Sequence, residues 1–373
     1  MALIKFIKWR WVKKSLNATR LPTKPAFREL FMSDEFELEL DKLSAYLESA
    51  IEDFGGLTSA DKFAGGQSNP TYLLSAGSGR YVLRRKPPGN LLKSAHAVDR
   101  EFRVMHALAG TSVPVPTMHV LCEDESIIGS MFYVMDFVEG RIFWNAALPE
   151  QSPAQRSAIY DAMNQVLADL HAVDPNAVGL GDYGKPGNYF ERQLSRWTTQ
   201  YRASETEHIP AMEKLMQWLE QNQPMDDGLV CINHGDFRLD NMMFHNSRNE
   251  VITLLDWELS TLGHPYADLA YQCMQLRIPG DAAIPGLGDI NRKVLGIPSE
   301  QEYVQRYCKR RGIDGIDNWT FYIAFAFFRL SAILQGIQKR AIDGNASSDR
   351  ASAYGGLAKP LAEMGIAIAE QGA

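Results

Sequence analysis

The feature that most constrains this chain is a change of character at Glu139-Gly140. Ahead of it lie short runs of strand-forming residues broken by turns; beyond it, apolar residues recur at helical spacing over long stretches. The pattern predicts an α+β fold of two lobes, a small antiparallel-sheet N-lobe with one inward helix and a larger, mainly helical C-lobe. Residues 1–32 read as a basic N-terminal extension, 33–140 as the N-lobe and 141–373 as the C-lobe.

In the N-lobe, Leu40, Leu43, Leu47 and Ile51 share a helical face after Ser33-Asp34, which can cap a helix. Residues 71–75 and 80–85 read as strands joined by Ala76-Gly77-Ser78-Gly79, whose glycines suit a tight hairpin. Val98, Phe102, Met105 and Leu108 mark a helix, and residues 117–122 and 127–137 read as strands around the acidic turn Glu123-Asp124-Glu125. In the C-lobe, Ser152-Pro153 opens a helix carrying Ile159, Met163, Val166, Leu167 and Leu170. Further helices are predicted over 189–202, 211–222, 266–276, 300–311, 319–340 and 354–370, with one β patch at 242–244 and 251–256. There is no internal repeat.

Composition narrows the class. With 45% hydrophobic and 22% charged residues the chain resembles a folded, water-soluble protein. Its longest uninterrupted apolar run, 321–328, is closed by Arg329 and falls short of the ~20 residues a membrane-spanning helix needs, so no transmembrane segment is expected. Cys122, Cys231, Cys273 and Cys308 form neither a CxxC pair nor a zinc-spaced cluster, as expected of reduced thiols in a cytoplasmic protein. The net charge of −7 hides an asymmetry: the first 28 residues carry eight Lys or Arg and no acid, leaving 30 basic against 45 acidic residues in the rest. So acidic a body is poorly suited to nucleic acid, and no such partner is expected. In the extension, Ile4, Ile7, Trp11 and Val12 can share a face amid Lys5, Lys8, Arg10, Lys13 and Lys14; a loosely docked tail, contact with anionic lipid and a mitochondrial presequence all fit that pattern.

Chemistry concentrates in His234-Gly235-Asp236-Phe237-Arg238-Leu239-Asp240-Asn241, followed by an apolar run at 251–255 and Asp256-Trp257-Glu258. An Asp five residues before an Asn, with a second Asp on the following hairpin, is the spacing of a kinase catalytic loop. Phosphoryl transfer needs a base for the attacking hydroxyl and hard oxygens to hold magnesium against a polyphosphate. Asp236 takes the first role, Asn241 and Asp256 the second. Singly, Asn241 reads equally as a turn cap, Asp256 as a strand end and His234 as a satisfied core histidine; their order together points to chemistry.

These residues, with Gly263-His264-Pro265-Tyr266-Ala267-Asp268-Leu269-Ala270, resemble the aminoglycoside phosphotransferase superfamily over roughly residues 61–276. The resemblance implies ATP and Mg²⁺ as cofactors and makes Asp268 an anchor for the backbone of the catalytic loop, beside His234. Upstream, Gly65-Gly66-Gln67-Ser68-Asn69 lies between strands where glycines let backbone N–H groups approach phosphate, so Gly65, Gly66, Ser68 and Asn69 are nucleotide candidates. Arg84 ends a strand where kinases carry a phosphate-binding lysine, with Lys86 as the alternative on the same strand face. Glu101, on the inward stripe of its helix, needs a partner there, and Arg84 is the natural one. Met135 and Phe137 lie where such kinases hydrogen-bond a purine ring through the backbone.

Acceptor recognition in that family falls at Tyr183-Gly184-Lys185-Pro186-Gly187-Asn188-Tyr189 with Arg192, Gln193, Arg196 and Trp197. Lys185, Arg192 and Arg196 suit an anionic acceptor, with Tyr189 or Trp197 packing an apolar part, although ordinary surface pairing of the two arginines reads as well. This stretch, with Tyr81-Val82-Leu83-Arg84-Arg85-Lys86-Pro87-Pro88-Gly89, also resembles the kinase-type domain attached to acyl-CoA dehydrogenase family members 10 and 11 and bacterial relatives from levulinic acid catabolism. That likeness implies phosphorylation of a 4-hydroxyacyl-CoA or related hydroxy acid. A choline, homoserine or sugar kinase of the same superfamily, or a non-catalytic nucleotide-binding scaffold, are the alternatives.

Overall fold

The computed structural model describes residues 38–63, 69–87, 96–344 and 355–372. The basic extension, the Ser33-Asp34 cap, Gly65, Gly66 and Ser68, and Tyr354 at the start of the last predicted helix lie outside the described residues. The chain divides into two compact units. The first runs to residue 109 and takes in 115–139 and 256–258; the second comprises 110–114, 140–255 and 259–373. A single boundary at residue 140 therefore misses the return of Asp256, Trp257 and Glu258 to the first unit.

The first unit is built from α1 (Leu40–Ala50), β1 (Leu57–Lys62), β2 (Thr71–Ala76), β3 (Gly79–Arg85), α2 (Val98–Leu108), β4 (Met118–Cys122) and β5 (Phe132–Asp136). The strands form one antiparallel sheet in the order β1-β2-β3-β5-β4. Strand alternation decides what each face carries. Leu74, Leu83, Phe132 and Val134 pack with Leu43 and Leu47 of α1 and with Phe54 in one buried core, each worth roughly 1.5–3 kcal/mol as removed apolar surface. The intervening residues Arg84 and Tyr133, paired in register across β3 and β5, belong to the opposite face, toward Glu101 of α2. The strand predicted from 127 is shorter than expected. Residues 124–129 turn instead, the Gly129 N–H donating to the Glu125 carbonyl at 2.7 Å with Gly129 at φ +78°, and Ile128 is buried in the core from within that turn.

The second unit contains β6 (Arg141–Ile142), α3 (Pro153–Ala172), α4 (Tyr189–Ser204), α5 (Pro210–Gln221), β7 (Cys231–Asn233), β8 (Met242–Phe244), β9 (Val251–Leu254), β10 (Thr261–Gly263), α6 (Pro265–Met274), α7 (Arg292–Leu295), α8 (Glu300–Arg311), α9 (Trp319–Ile342) and α10 (Ala358–Gln371). Two helices start on full capping boxes, Ser152 with Gln155 and Ser299 with Glu302, which satisfy orphan N–H groups at each first turn. Helix α9 is the centre against which α4, α5, α6 and α10 pack. By length and composition it is apolar enough to cross a membrane, yet 83% of its most apolar window is buried inside the protein. Strands β6, β8 and β9 form one small sheet and β7 with β10 another. At three residues apiece, β7 and β10 are too short to show a period in sequence, and they frame the loop described next.

Candidate active site

Strand β7 delivers the chain to His234, and β10, its antiparallel partner, delivers it to α6. Pro265 starts α6 with its ring where no N–H is needed, placing Asp268 in the first turn. The Asp268 carboxylate then accepts two backbone bonds, from His234 N–H at 2.6 Å and Gly235 N–H at 2.9 Å. Burial alone would raise the pKa of Asp268, but His171, 3.6 Å away, and His234 hold it below the usual carboxylate range. Gly235 has φ +83°, and a Cβ there would collide with the Leu259 carbonyl, so this close turn requires glycine.

The loop is closed from within. The Asp236 N–H donates to His234 Nδ1 at 3.3 Å, and the opposite ring nitrogen of His234 lies 2.9 Å from the Leu255 carbonyl. Asn241 ends a single 3₁₀ turn, and its Nδ2 donates to both the Asp236 carbonyl and carboxylate at 2.9 Å. Arg238 Nε lies 3.2 Å from the Asp236 carboxylate, and its terminal nitrogen 3.0 Å from Asp240. Asp236 is thus a buried, oriented carboxylate, 1% exposed.

In the first unit one guanidinium meets three acids. Arg84 lies 3.0 Å from Glu101, 3.3 Å from Asp256 and 3.7 Å from Glu258, all four side chains being at most 10% exposed. The Arg84–Glu101 pairing read from sequence is present. Lys86, the alternative, instead approaches Asp99 at 3.9 Å near the surface. Asp256 sits at φ +69°, in a region sparsely used by non-glycine residues. Burial first, and then repulsion from Asp256, push Glu258 up to about 7. Asn69 departs from its expected role: it is fully buried, its amide donates to Glu101 at 2.9 Å, and its oxygen meets His96 at 3.0 Å. Instead of facing phosphate, it helps hold the acid that holds Arg84. Met135 pairs within the sheet, and the Phe137 N–H is engaged by the Arg80 carbonyl at 3.3 Å with the Arg80 guanidinium 4.4 Å over its ring, so that N–H is committed.

A third group of residues lines a surface groove of about 690 Å³ in the second unit, among them Lys185, Arg192 and Arg196, with Glu191 and Asp226 also on its walls. Arg192 reaches back to the Lys185 carbonyl at 2.6 Å, ordering the loop that leads into α4. Tyr189 does not face this groove. Its ring is buried beside Gly263, where a Cβ would come within 2.6 Å of it, and packs edge-on to Phe190. Trp197 is half-buried, with Arg196 5.6 Å and Arg329 5.7 Å from its ring.

The model of the phosphotransferase enzyme family matches residues 59–300, well over half of the chain and all three groups of residues just described. The chain belongs to the phosphotransferase enzyme family. By that membership it carries a phosphotransferase-type domain. A crystal structure from Ralstonia eutropha, provisionally assigned as an aminoglycoside phosphotransferase, superposes with a TM-score of 0.84 at 50% identity, covering 90% of this phosphotransferase and 99% of that chain. An aminoglycoside phosphotransferase in ternary complex with ADP and hygromycin B shares the fold at a TM-score of 0.58 and 13% identity, over 89% of this chain and 99% of its own. Among curated proteins, acyl-CoA dehydrogenase family member 10 of Mus musculus is 51% identical over 81% of this chain and 28% of its own length. Family member 11 of Rattus norvegicus is 43% identical over 90% of this chain and 44% of its own. The phosphotransferase therefore spans less than half the length of these curated relatives.

Four site residues escaped the sequence reading. Arg238 and Glu258 stood inside the motif, where the signal was a charge beside each key aspartate. Tyr271, whose hydroxyl is pushed up by burial and by the Asp236 carboxylate, and Arg329 lie on helices far along the chain and become legible only through packing. Each unit carries a donor of the kind Mg²⁺ takes: with its amide nitrogen spent on Asp236, Asn241 of the second unit keeps an amide oxygen, and Asp256 of the first carries a carboxylate, both hard oxygens.

Proposed function

We propose that this phosphotransferase uses ATP and Mg²⁺ to phosphorylate the hydroxyl of a 4-hydroxyacyl-CoA or a related hydroxy acid. The observation that carries the reading is Asp268 gripping the His234 and Gly235 N–H groups while Asn241 braces the Asp236 carboxylate. A base held this way waits in one orientation and needs no reorganisation at the moment of transfer. Asp236 accepts the proton of the acceptor hydroxyl as its oxygen bonds the γ-phosphorus and the bond from that phosphorus to the β-phosphate oxygen breaks, releasing ADP. Asn241 and Asp256 are the residues that would hold Mg²⁺, which neutralises polyphosphate charge when bound. Arg84, fixed by Glu101, offers a planar cation for phosphate.

The acceptor class rests on charge and on relatives. Lys185, Arg192 and Arg196 give the groove three cations against Glu191 and Asp226, better matched to an anionic acceptor than to a polycationic sugar. The curated relatives carry acyl-CoA in their names, which favours a thioester of that kind here. A coupled ADP-release assay over hydroxyacyl-CoAs, free hydroxy acids, choline and aminoglycosides tests the reading. The largest kcat/KM should fall to a hydroxyacyl-CoA, and preference for choline or an aminoglycoside would refute it.

A further inference from the structure

One buried charge has so far been given no task. Arg329, on α9, is 8% exposed, and among the described residues no carboxylate forms an ion pair with it. An isolated interior cation opposes folding unless its hydrogen bonds and surroundings compensate. Its partners are neutral and specific. Nη2 donates to the Gly235 carbonyl at 2.8 Å, while the guanidinium lies 5.7 Å from the ring centre of Trp197 and 5.3 Å from that of Tyr271, within cation–π range of both.

The peptide linking Gly235 to Asp236 is therefore tied at both polar ends, its carbonyl by Arg329 and its N–H by His234 Nδ1. Gly235, at φ +83°, has the least intrinsic restraint in the loop, and the Asp236 side chain departs directly from this peptide. Any rotation of the peptide plane re-aims the carboxylate. We propose that Arg329 is a positioning residue for phosphoryl transfer, fixing the Gly235–Asp236 peptide so that Asp236 points at the acceptor hydroxyl. The inference rests on the reading of Asp236 as the base. Arginine suits the place because a flat guanidinium slides between two rings and still projects a donor in its own plane, which an ammonium cannot do. Trp197, which carries Arg196 as well, makes the wall of that slot the same helix that lines the groove.

Arg329→Met fills the slot with an apolar chain of similar length and removes the donor; Arg329→Lys restores a charge and a donor without the plane; Asp236→Asn runs in parallel. Transfer from Mg-ATP to 4-hydroxypentanoyl-CoA, slow ATP hydrolysis by water, and thermal unfolding are measured for each. Arg329→Met should lose about 100-fold in kcat in both reactions, the scale expected of a misaimed catalytic group, with KM for ATP and thioester within about twofold and an unfolding temperature equal to or above that of the parent. Arg329→Lys should recover part of the rate. A mere strut predicts the opposite pattern, a lower unfolding temperature with kcat of the folded fraction intact, and that result overturns the proposal. So does a kcat within threefold of the parent for Arg329→Met while Asp236→Asn is inactive, or a change confined to the thioester KM. Parental turnover by Asp236→Asn would overturn the base assignment and this inference together.

Discussion

The two units bury charge in opposite ways. Around Arg84 three carboxylates share one guanidinium, whereas in the catalytic loop Arg238 meets Asp236 and Asp240, and Asp268 and Asn241 satisfy backbone and carboxylate groups with directed hydrogen bonds. The first arrangement leaves an excess of negative charge that a cation can complete; the second aims its carboxylate before any ligand arrives and leaves one Asp236 oxygen without a hydrogen bond. A kinase needs both kinds of site, one that takes in a metal–nucleotide complex and one that keeps its base aimed.

The sharpest way to break this comparison is to disarm the aimed site. Asp236→Asn should lower kcat by roughly 10²- to 10⁴-fold with nucleotide affinity nearly unchanged, since it removes the proton acceptor and keeps the shape. Steady-state kinetics beside calorimetric ATP titration checks both halves. Asp268→Asn attacks the brace instead. It swaps one carboxylate oxygen for a donor facing two N–H groups, and should cost about 3 kcal/mol by denaturant unfolding, with a fall in kcat smaller than that of Asp236→Asn.

Titration separates the units by sign. Glu258, raised to about 7 by burial and by Asp256, contributes stability that is present below the unfolded value of 4.5 and lost as pH rises through 7, on the order of 3 kcal/mol in total. His171, lowered by burial, works the other way: its contribution is present above the unfolded value of 6.5 and lost as pH falls through its folded value. Unfolding curves in EDTA should therefore show Glu258→Gln gaining on the parent between pH 4.5 and 7. An unchanged difference across that window would remove the charge excess from the account.

Much of this contrast was legible in sequence where a period or a spacing exposed it. Alternation along β3 put Arg84 on the face opposite Leu83, helical spacing put Glu101 inward on α2, and the two together gave the ion pair. The Asp268 brace was implied by the family resemblance alone; the residues themselves read equally as the cap of a Pro-started helix. What stayed hidden depends on side-chain packing with no local signature. Asn69 sits beside a glycine pair that reads as a phosphate turn, yet its amide is drawn to Glu101. Tyr189 opens a cationic, aromatic stretch, yet α4 turns its ring toward the backbone at Gly263. Arg329 registered only as the residue closing an apolar run, and its bond to Gly235 spans 94 positions of the chain.

The smallest effect is expected at the groove. Arg192→Ala and Arg196→Ala should each raise the KM for a CoA thioester several-fold while leaving ATP parameters alone, because they remove contacts made equally in ground and transition states. Arg192 carries the added task of holding the Lys185 carbonyl, so its variant should also loosen that loop, visible as faster amide exchange at residues 185–188.

The most direct test of the central claim follows the γ-phosphate itself. With γ-labelled ATP, Mg²⁺ and 4-hydroxypentanoyl-CoA, the account predicts label on the 4-hydroxyl oxygen of the thioester, at a higher kcat/KM than on the free acid, and none with Asp236→Asn. Label that never leaves ATP despite tight nucleotide binding, or that passes to choline or an aminoglycoside in preference to the thioester, would contradict it.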